Sequence, residues 1–213
     1  MKKASKSTSR YHSPLRARQA AETRRSIIGA ALTLFGEHGW TATTIPMIAA
    51  EAGTSVDTIY AVFGTKSALM MEVVEVAIVG DDGEAAMADR PDFARFAEGT
   101  REERIRTGVH YTVEVFRRSL PILKALQEAA ASDEAARARL ARYDGDRRDL
   151  TAAGLTLILG EEPPADVVDT VWALVSPEVF LHLTQGRGWS VEKTEAWLAE
   201  IGAVTLDYRD PTG

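Results

Sequence analysis

Ile27, Ile28, Ala31, Leu34 and Phe35 stand at i, i+1, i+4, i+7 and i+8, which lines one face of an α-helix with apolar side chains. The spacing predicts a helix from about Leu15, closed by Gly36 and Gly39. A short second helix is predicted over residues 45–52, with Thr44 as N-cap and Pro46 in the first turn. Gly53 ends it, because glycine accepts the left-handed conformation of a tight exit. Ser55 then caps a third helix over residues 56–62, and Thr65 a fourth over residues 66–79.

Gly80, Gly83, Pro91 and scattered acids make residues 80–99 a loop or broken stretch. Thr100 and Glu103 form the T-x-x-E capping box, and Ile105, Val109, Thr112, Val113 and Phe116 keep helical spacing to about Arg118. Pro121 is expected to open a separate helix as its first residue, and Ser132 or Asp133 to cap the next. After the linker GEEPP comes a strongly apolar helix holding Val167, Val168, Val171, Trp172, Leu174 and Val175, which Pro177 should kink or divide. Beyond GRG, Ser190 caps a last helix with Trp197, Leu198, Ile201 and Val204. No strand-type alternation persists. The expected fold is all-α, with about nine helices.

Composition narrows the class. Zero cysteines exclude disulfides, thiolate metal sites and cysteine nucleophiles. The opening MKKASKSTSR has lysines but no apolar stretch behind them, so it is not a signal peptide. The longest apolar-looking run, residues 155–159, is far too short to span a bilayer. A cytoplasmic protein that makes no use of a membrane is expected. The charge is uneven. Residues 1–66 hold nine Lys/Arg against four Asp/Glu, a net of +5, and the remainder sixteen against twenty-seven, a net of −11. A basic end on an acidic body fits a module that meets a polyanion, while the body stays off it.

Helix, glycine turn, helix is the helix-turn-helix arrangement, whose second helix enters the major groove. Here the turn runs through AGTSVDTIY. Ser55 and the free amides at the start of the third helix suit a phosphate, because a helix N-terminus offers unpaired N–H groups and a positive dipole end. Tyr60 can bring a hydroxyl to phosphate, and Lys66 a point charge. Base reading falls to Val56, Asp57 and Thr58, whose methyls and carboxylate match thymine methyl and cytosine N4. Asp57 is more often a dipole-stabilising residue there. Arg16 and Arg18 sit where an arm would reach DNA, and Arg24 and Arg25 read as a solvated face. Ile59 and Phe63 are expected in the core.

The run ARQAAETRRSIIGAALTLFGEHGWTATTIPMIAAEAGTSVDTIYAVFGTKSALM resembles the N-terminal domain of tetracycline-repressor-type (TetR family) transcriptional regulators. Ile28, Ala31, Phe35, Gly39, Thr43, Thr44, Ile48, Ala49, Ala52, Gly53, Tyr60, Phe63, Lys66 and Leu69 carry the resemblance, which is close over about residues 17–70. ALVSPEVFLHLT and GRGWSVEKTEAWL look more loosely like the last two helices of many members. The resemblance implies a homodimeric repressor that binds a palindromic double-stranded operator and a small-molecule effector. It places Thr44, Ser55, Thr58, Tyr60 and Lys66 at the DNA. Ala61 and Val62 depart from members with aromatic or polar residues there.

The implied organisation is a flexible basic arm at residues 1–14, a helix-turn-helix domain at 15–64, and a ligand-binding and dimerisation domain at 65–213. The effector pocket is assigned to Met70, Phe96, His110, Tyr111, Phe116 and Trp172. The dimer interface is assigned to Val171, Val175, Phe180, Leu183, Trp197 and Ile201. The four histidines are scattered with no ligand spacing, and there is no phosphate-cradling loop or nucleophile elbow. No catalysis, metal or cofactor is expected. The alternative is a small-molecule-binding helical protein that does not read DNA.

Overall fold

The computed structural model describes residues 14–81 and 86–207, so the arm assigned to residues 1–14 lies, but for position 14, outside them. Four helices form the N-terminal part: α1 (Pro14–Ala42), α2 (Ile45–Glu51), α3 (Val56–Phe63) and α4 (Lys66–Val79). After two short 3-10 turns around the single-turn α5 (Pro91–Ala94) come α6 (Arg101–Ala130) and α7 (Glu134–Leu159). The chain then runs through α8 (Ala165–Leu174), α9 (Pro177–Leu181), a π-helical turn and α10 (Val191–Asp207). Among the described residues there is no strand, and nine helices are longer than one turn.

The capping residues read from sequence make the bonds expected of them. Thr44, Ser55, Thr65 and Ser190 each accept the amide three residues on, and Thr100 and Glu103 close a reciprocal capping box. Asp133 caps α7 by accepting the Ala136 amide at 2.9 Å, and it also takes the Ser67 hydroxyl of α4. Those two donors hold its pKa below the usual aspartate value. Because the folded-state pKa is depressed, this stabilisation is complete above about pH 4 and is lost as the pH falls below it. Asp133→Ala should cost about 1–2 kcal/mol near neutrality, and less in acid. Thermal melts of both proteins across that range check it, and a constant gap between them would disprove the linkage.

One expectation fails. Pro121 does not open a new helix: α6 runs unbroken for 30 residues with the proline inside it. An internal proline removes a backbone bond and crowds the preceding turn. Tertiary packing overrides that cost. Val109, Val113 and Phe116 before it are buried with Phe180 and Leu198, while Ile122, Leu123 and Leu126 after it are buried with Ile27, Phe35 and Ile48. Pro121 itself faces Gly36, where a built Cβ would meet the proline Cβ at 3.6 Å.

The largest core therefore joins α1–α4 to the second half of α6 and to Ala136 of α7, with no seam at residue 64. Two smaller cores fill the rest, one around Phe93, Phe96, Ile105 and Leu155, the other around Phe116, Phe180 and Leu198. Among the described residues, Ala165–Gly186 is long and apolar enough to cross a membrane by length and composition alone. It is no continuous helix, since Val175 (φ −92°, ψ 67°) breaks it and Pro177 restarts it, as the proline predicted.

Candidate nucleic-acid interface and cavity

α2 exits through Ala52, Gly53 and Thr54. The Thr54 amide donates back to Ala49 O at 2.9 Å, and Gly53 takes a φ of 63°. Ser26 of α1 pins this turn by donating to Ala52 O at 3.0 Å. In α3, Ile59 and Phe63 are buried against α1 and α2, as expected, which turns the opposite face outward. Ser55, Asp57 and Tyr60 are exposed, and Val56 and Thr58 half-buried. Ser55 Oγ accepts the Thr58 amide at 3.1 Å and lies 2.8 Å from the Thr58 hydroxyl. Thr58 thus spends its hydroxyl locally. Thr44 is exposed at the start of α2, and Arg16 and Arg18 are exposed on α1, Arg18 paired with Glu22 at 3.0 Å.

Lys66 spends its ammonium inside the chain. It donates to Trp40 O at 2.6 Å and lies 4.0 Å from the centre of the Trp40 ring. Desolvation holds its pKa below the ordinary lysine value. Lys66→Ala should lower the unfolding free energy by about 1–2 kcal/mol, through the lost hydrogen bond and ring contact. An unchanged denaturant midpoint would show that the inward geometry contributes nothing. Arg24, expected to be merely solvated, bridges to Glu72 of α4 at 2.8 Å and sits 4.9 Å over the Phe63 ring. It braces α3 against α4, a role that its long stem allows and that local spacing does not reveal.

Behind α4, the body holds a cavity of about 510 Å³, partly open to solvent and bounded by α4, the short turns, α6, α7, α8 and α10. Its apolar end is built where Phe96 presses between two helices. Gly108 of α6 and Gly154 of α7 admit it, since a Cβ at Gly154 would lie 3.4 Å from the Phe96 ring and one at Gly108 3.0 Å from Ile158. Tyr111 meets both Phe93 and Phe96 edge-on. Of the six residues assigned to a pocket, Phe96, Tyr111 and Phe116 line this cavity.

Met70, His110 and Trp172 do not line it. Met70 is fully buried on the face of α4 that packs into the N-terminal core. His110 lies on the exposed side of α6, 3.0 Å from Glu195 of α10. Trp172 lies beneath the Arg147 guanidinium, 4.4 Å from its carbon. The residues that sequence reasoning missed are Arg139, Tyr143 and Arg147, all lining the cavity from α7. Their i, i+4, i+8 spacing places them on one face and was there to be read.

The assigned interface also divides. Phe180 is buried inside the chain, its ring 5.9 Å from Phe116, and Val171 and Val175 line the cavity. All three leave the interface assignment, because packing within the chain uses them. Leu183, Trp197 and Ile201 remain half-exposed, and Val204, one turn beyond Ile201, is 65% exposed.

A helix-turn-helix carried on an all-helical body with an internal cavity defines a class, the helix-turn-helix regulators. Residues 27–73 match the family described as bacterial regulatory proteins, tetR family. The chain thus carries a tetR-family domain at its N-terminal end. Its fold is that of a chain from Mesorhizobium loti assigned to the TetR family, at 18% identity over 89% of this chain and 97% of that one, TM-score 0.66. It is also that of a tetR-family transcriptional regulator from Streptomyces coelicolor, at 23% identity over 86% and 82% of the two chains, TM-score 0.61. The multidrug binding protein EbrR complexed with imidazole shares it at 17% identity over 91% of each chain, TM-score 0.53. No curated protein matches by sequence.

Proposed function

We propose that the protein is a homodimeric transcriptional repressor that binds a palindromic operator through α3 and lets go when a small molecule fills the cavity. The observation that carries it is the tip of α3, where a serine-capped helix start with exposed Asp57 and Tyr60 stands on a fully buried underside. Among the described residues the amides of Val56 and Asp57 have no acceptor, which suits a phosphate oxygen. Ser55, Tyr60, Thr44, Arg16 and Arg18 take the phosphate side of the contact, Lys66 joins them only with the donors that its bond to Trp40 O leaves, and Val56, Asp57 and Thr58 take the base edges. The arm at residues 1–14, the helix-turn-helix domain at 15–64 and the regulatory body at 65–213 keep their proposed roles, carried on the shared core described above.

The release mechanism follows from what α4 and α6 connect. Glu75, Ile78 and Val79 of α4 line the cavity, and Arg118 of α6 donates to Ala77 O and Ile78 O near the end of α4. At the other end of α6, Glu128 accepts the Trp40 amide at 3.0 Å. A ligand that favours one spacing of these helices therefore shifts the N-terminal module with them. Moving a repressor from mostly bound to mostly free takes roughly 5.5 kcal/mol of differential affinity. EbrR, with its bound imidazole, supports a ligand role for the cavity by likeness of fold.

A second copy has a surface to use. Only 28% of the most apolar 18-residue window within Ala165–Gly186 is buried, and Trp197, Ile201 and Val204 follow helical spacing on α10. A two-fold dimer would set two α3 tips for half-sites about 34–36 Å apart or multiples of that. Val204→Glu should turn a sedimenting dimer into a monomer at micromolar concentration. A dimer that persists would move the interface elsewhere. The function itself is tested by selecting duplexes from a random pool and repeating the gel shift with salt. A palindrome bound by two chains, with affinity falling steeply as salt rises, is expected. A protein that retains no duplex at low salt would leave the ligand-binding alternative.

A further inference from the structure

We infer that the cavity takes an amphipathic carboxylate, its head on the Nε–Nη2 edge of Arg147 beside Tyr143 and its hydrocarbon along the phenylalanine wall. The inference rests on the cavity being an effector site and adds the class of effector. It starts from a cation without a counter-ion. Arg147 lines the cavity and is half-buried, yet among the described residues no carboxylate lies within ion-pair distance of it. Asp144 and Glu178 act on it only from further off.

The hydrogen bonds of Arg147 are one-sided. Nη1 donates to Trp172 O at 2.6 Å and to Val175 O at 3.3 Å. Nε is buried with no acceptor, and Nη2 has none among the described residues. Nε–H and the adjacent Nη2–H form the side-on fork that matches a carboxylate's two oxygens. A buried donor left unpaired is costly, so an acceptor delivered there gains a bond that the chain itself does not supply. Trp172, beneath the guanidinium, also has a buried indole N–H with no acceptor. Tyr143, one turn before Arg147 on α7, adds a hydroxyl whose pKa burial pushes up to about 12, so it remains a donor at neutral pH.

The other charges in the wall leave no comparable place for a cation. Glu75 and Asp146 are both spent on Arg139, at 2.9 and 3.3 Å. Asp149 is exposed to solvent. The remaining wall, with Phe93, Phe96, Ile105, Phe116 and Ile158, suits hydrocarbon, and 510 Å³ lies in the range of drug-sized ligand sites.

Three probes with one tail and different heads test the class: dodecanoate, dodecanol and dodecyltrimethylammonium, titrated calorimetrically into the full-length protein. Dodecanoate should bind about tenfold or more tighter than dodecanol, the value of a charge-assisted fork. Arg147→Met should erase that ratio while dodecanol affinity stays. Because Arg147 also ties α7 to the α8–α9 break, Tyr143→Phe is the second variant, and it should narrow the ratio in a chain that keeps the Arg147 bonds. Equal or tighter binding of the alcohol or the ammonium would overturn the inference, as would no binding of any probe. A duplex gel shift on the same preparation reads the regulator function separately, so failure of the ligand class and failure of DNA recognition are told apart.

Discussion

Gly39→Ala should destabilise the protein by about 3 kcal/mol. Gly39 adopts φ 76° and ψ −177°, a region essentially confined to glycine, and a side chain there costs about 1–3 kcal/mol in backbone strain alone. The new Cβ would also sit 2.7 and 2.8 Å from the two carboxylate oxygens of Glu128. Glu128 cannot simply swing aside, because it accepts the Trp40 amide at 3.0 Å and so ties α6 to the kink at Gly39, which interrupts α1 before its end at Ala42. Thr43, fully buried, leans on the same turn by donating to Leu34 O and Gly39 O. Chemical denaturation measures the loss. A cost below about 1 kcal/mol would mean that the turn relaxes and that Glu128 is no fixed strut. If Glu128 couples the body to the DNA-facing helices, the variant should also weaken the effect of any bound ligand on DNA affinity.

Tyr60→Ala should leave the fold intact and weaken DNA binding about a hundredfold or more. Its side chain is 48% exposed, whereas its neighbour Ile59 is buried, so truncation removes little packing. A hydrogen bond to a charged phosphate is worth about 1.5 kcal/mol, and a two-fold dimer loses it twice. Since phosphates carry no sequence information, the loss should be similar for operator and random duplex, and the salt slope nearly unchanged. Tyr60→Phe separates ring from hydroxyl. Full affinity in the phenylalanine variant would remove the hydroxyl from the contact and leave the ring as a packing element at the groove.

Much of the fold was legible because its punctuation is local. Thr44, Ser55, Thr65, Thr100 and Ser190 each act within three or four residues of themselves, and glycine or proline marks the boundary next to most of them. The face of α3 was legible for the same reason: Ile59 and Phe63 are four apart, so their burial turns Asp57 and Tyr60 outward. Pro121 was misread because its local preference is outweighed by two cores that only the folded chain brings to one helix. The roles of Arg24, Arg139 and Arg147 are not legible locally, because each has a partner 25 to 64 residues away on another element. His110 drew notice as a polar residue beside a tyrosine, yet it sits one position round the helix from the cavity wall.

By itself the sequence determined the succession of helices, their caps and breaks, the helix-turn-helix and the segregation of positive charge to one end, because each of these follows from neighbours in the chain. Which apolar residues seal a core, which face a cavity and which remain for a second copy was decided only when α4, α6, α7 and α10 met. Phe116, Phe180 and Val204 are all apolar residues on helices, and nothing in their own neighbourhoods distinguishes them. Their fates differ because burial depends on what packs opposite, and that is a property of the assembled chain.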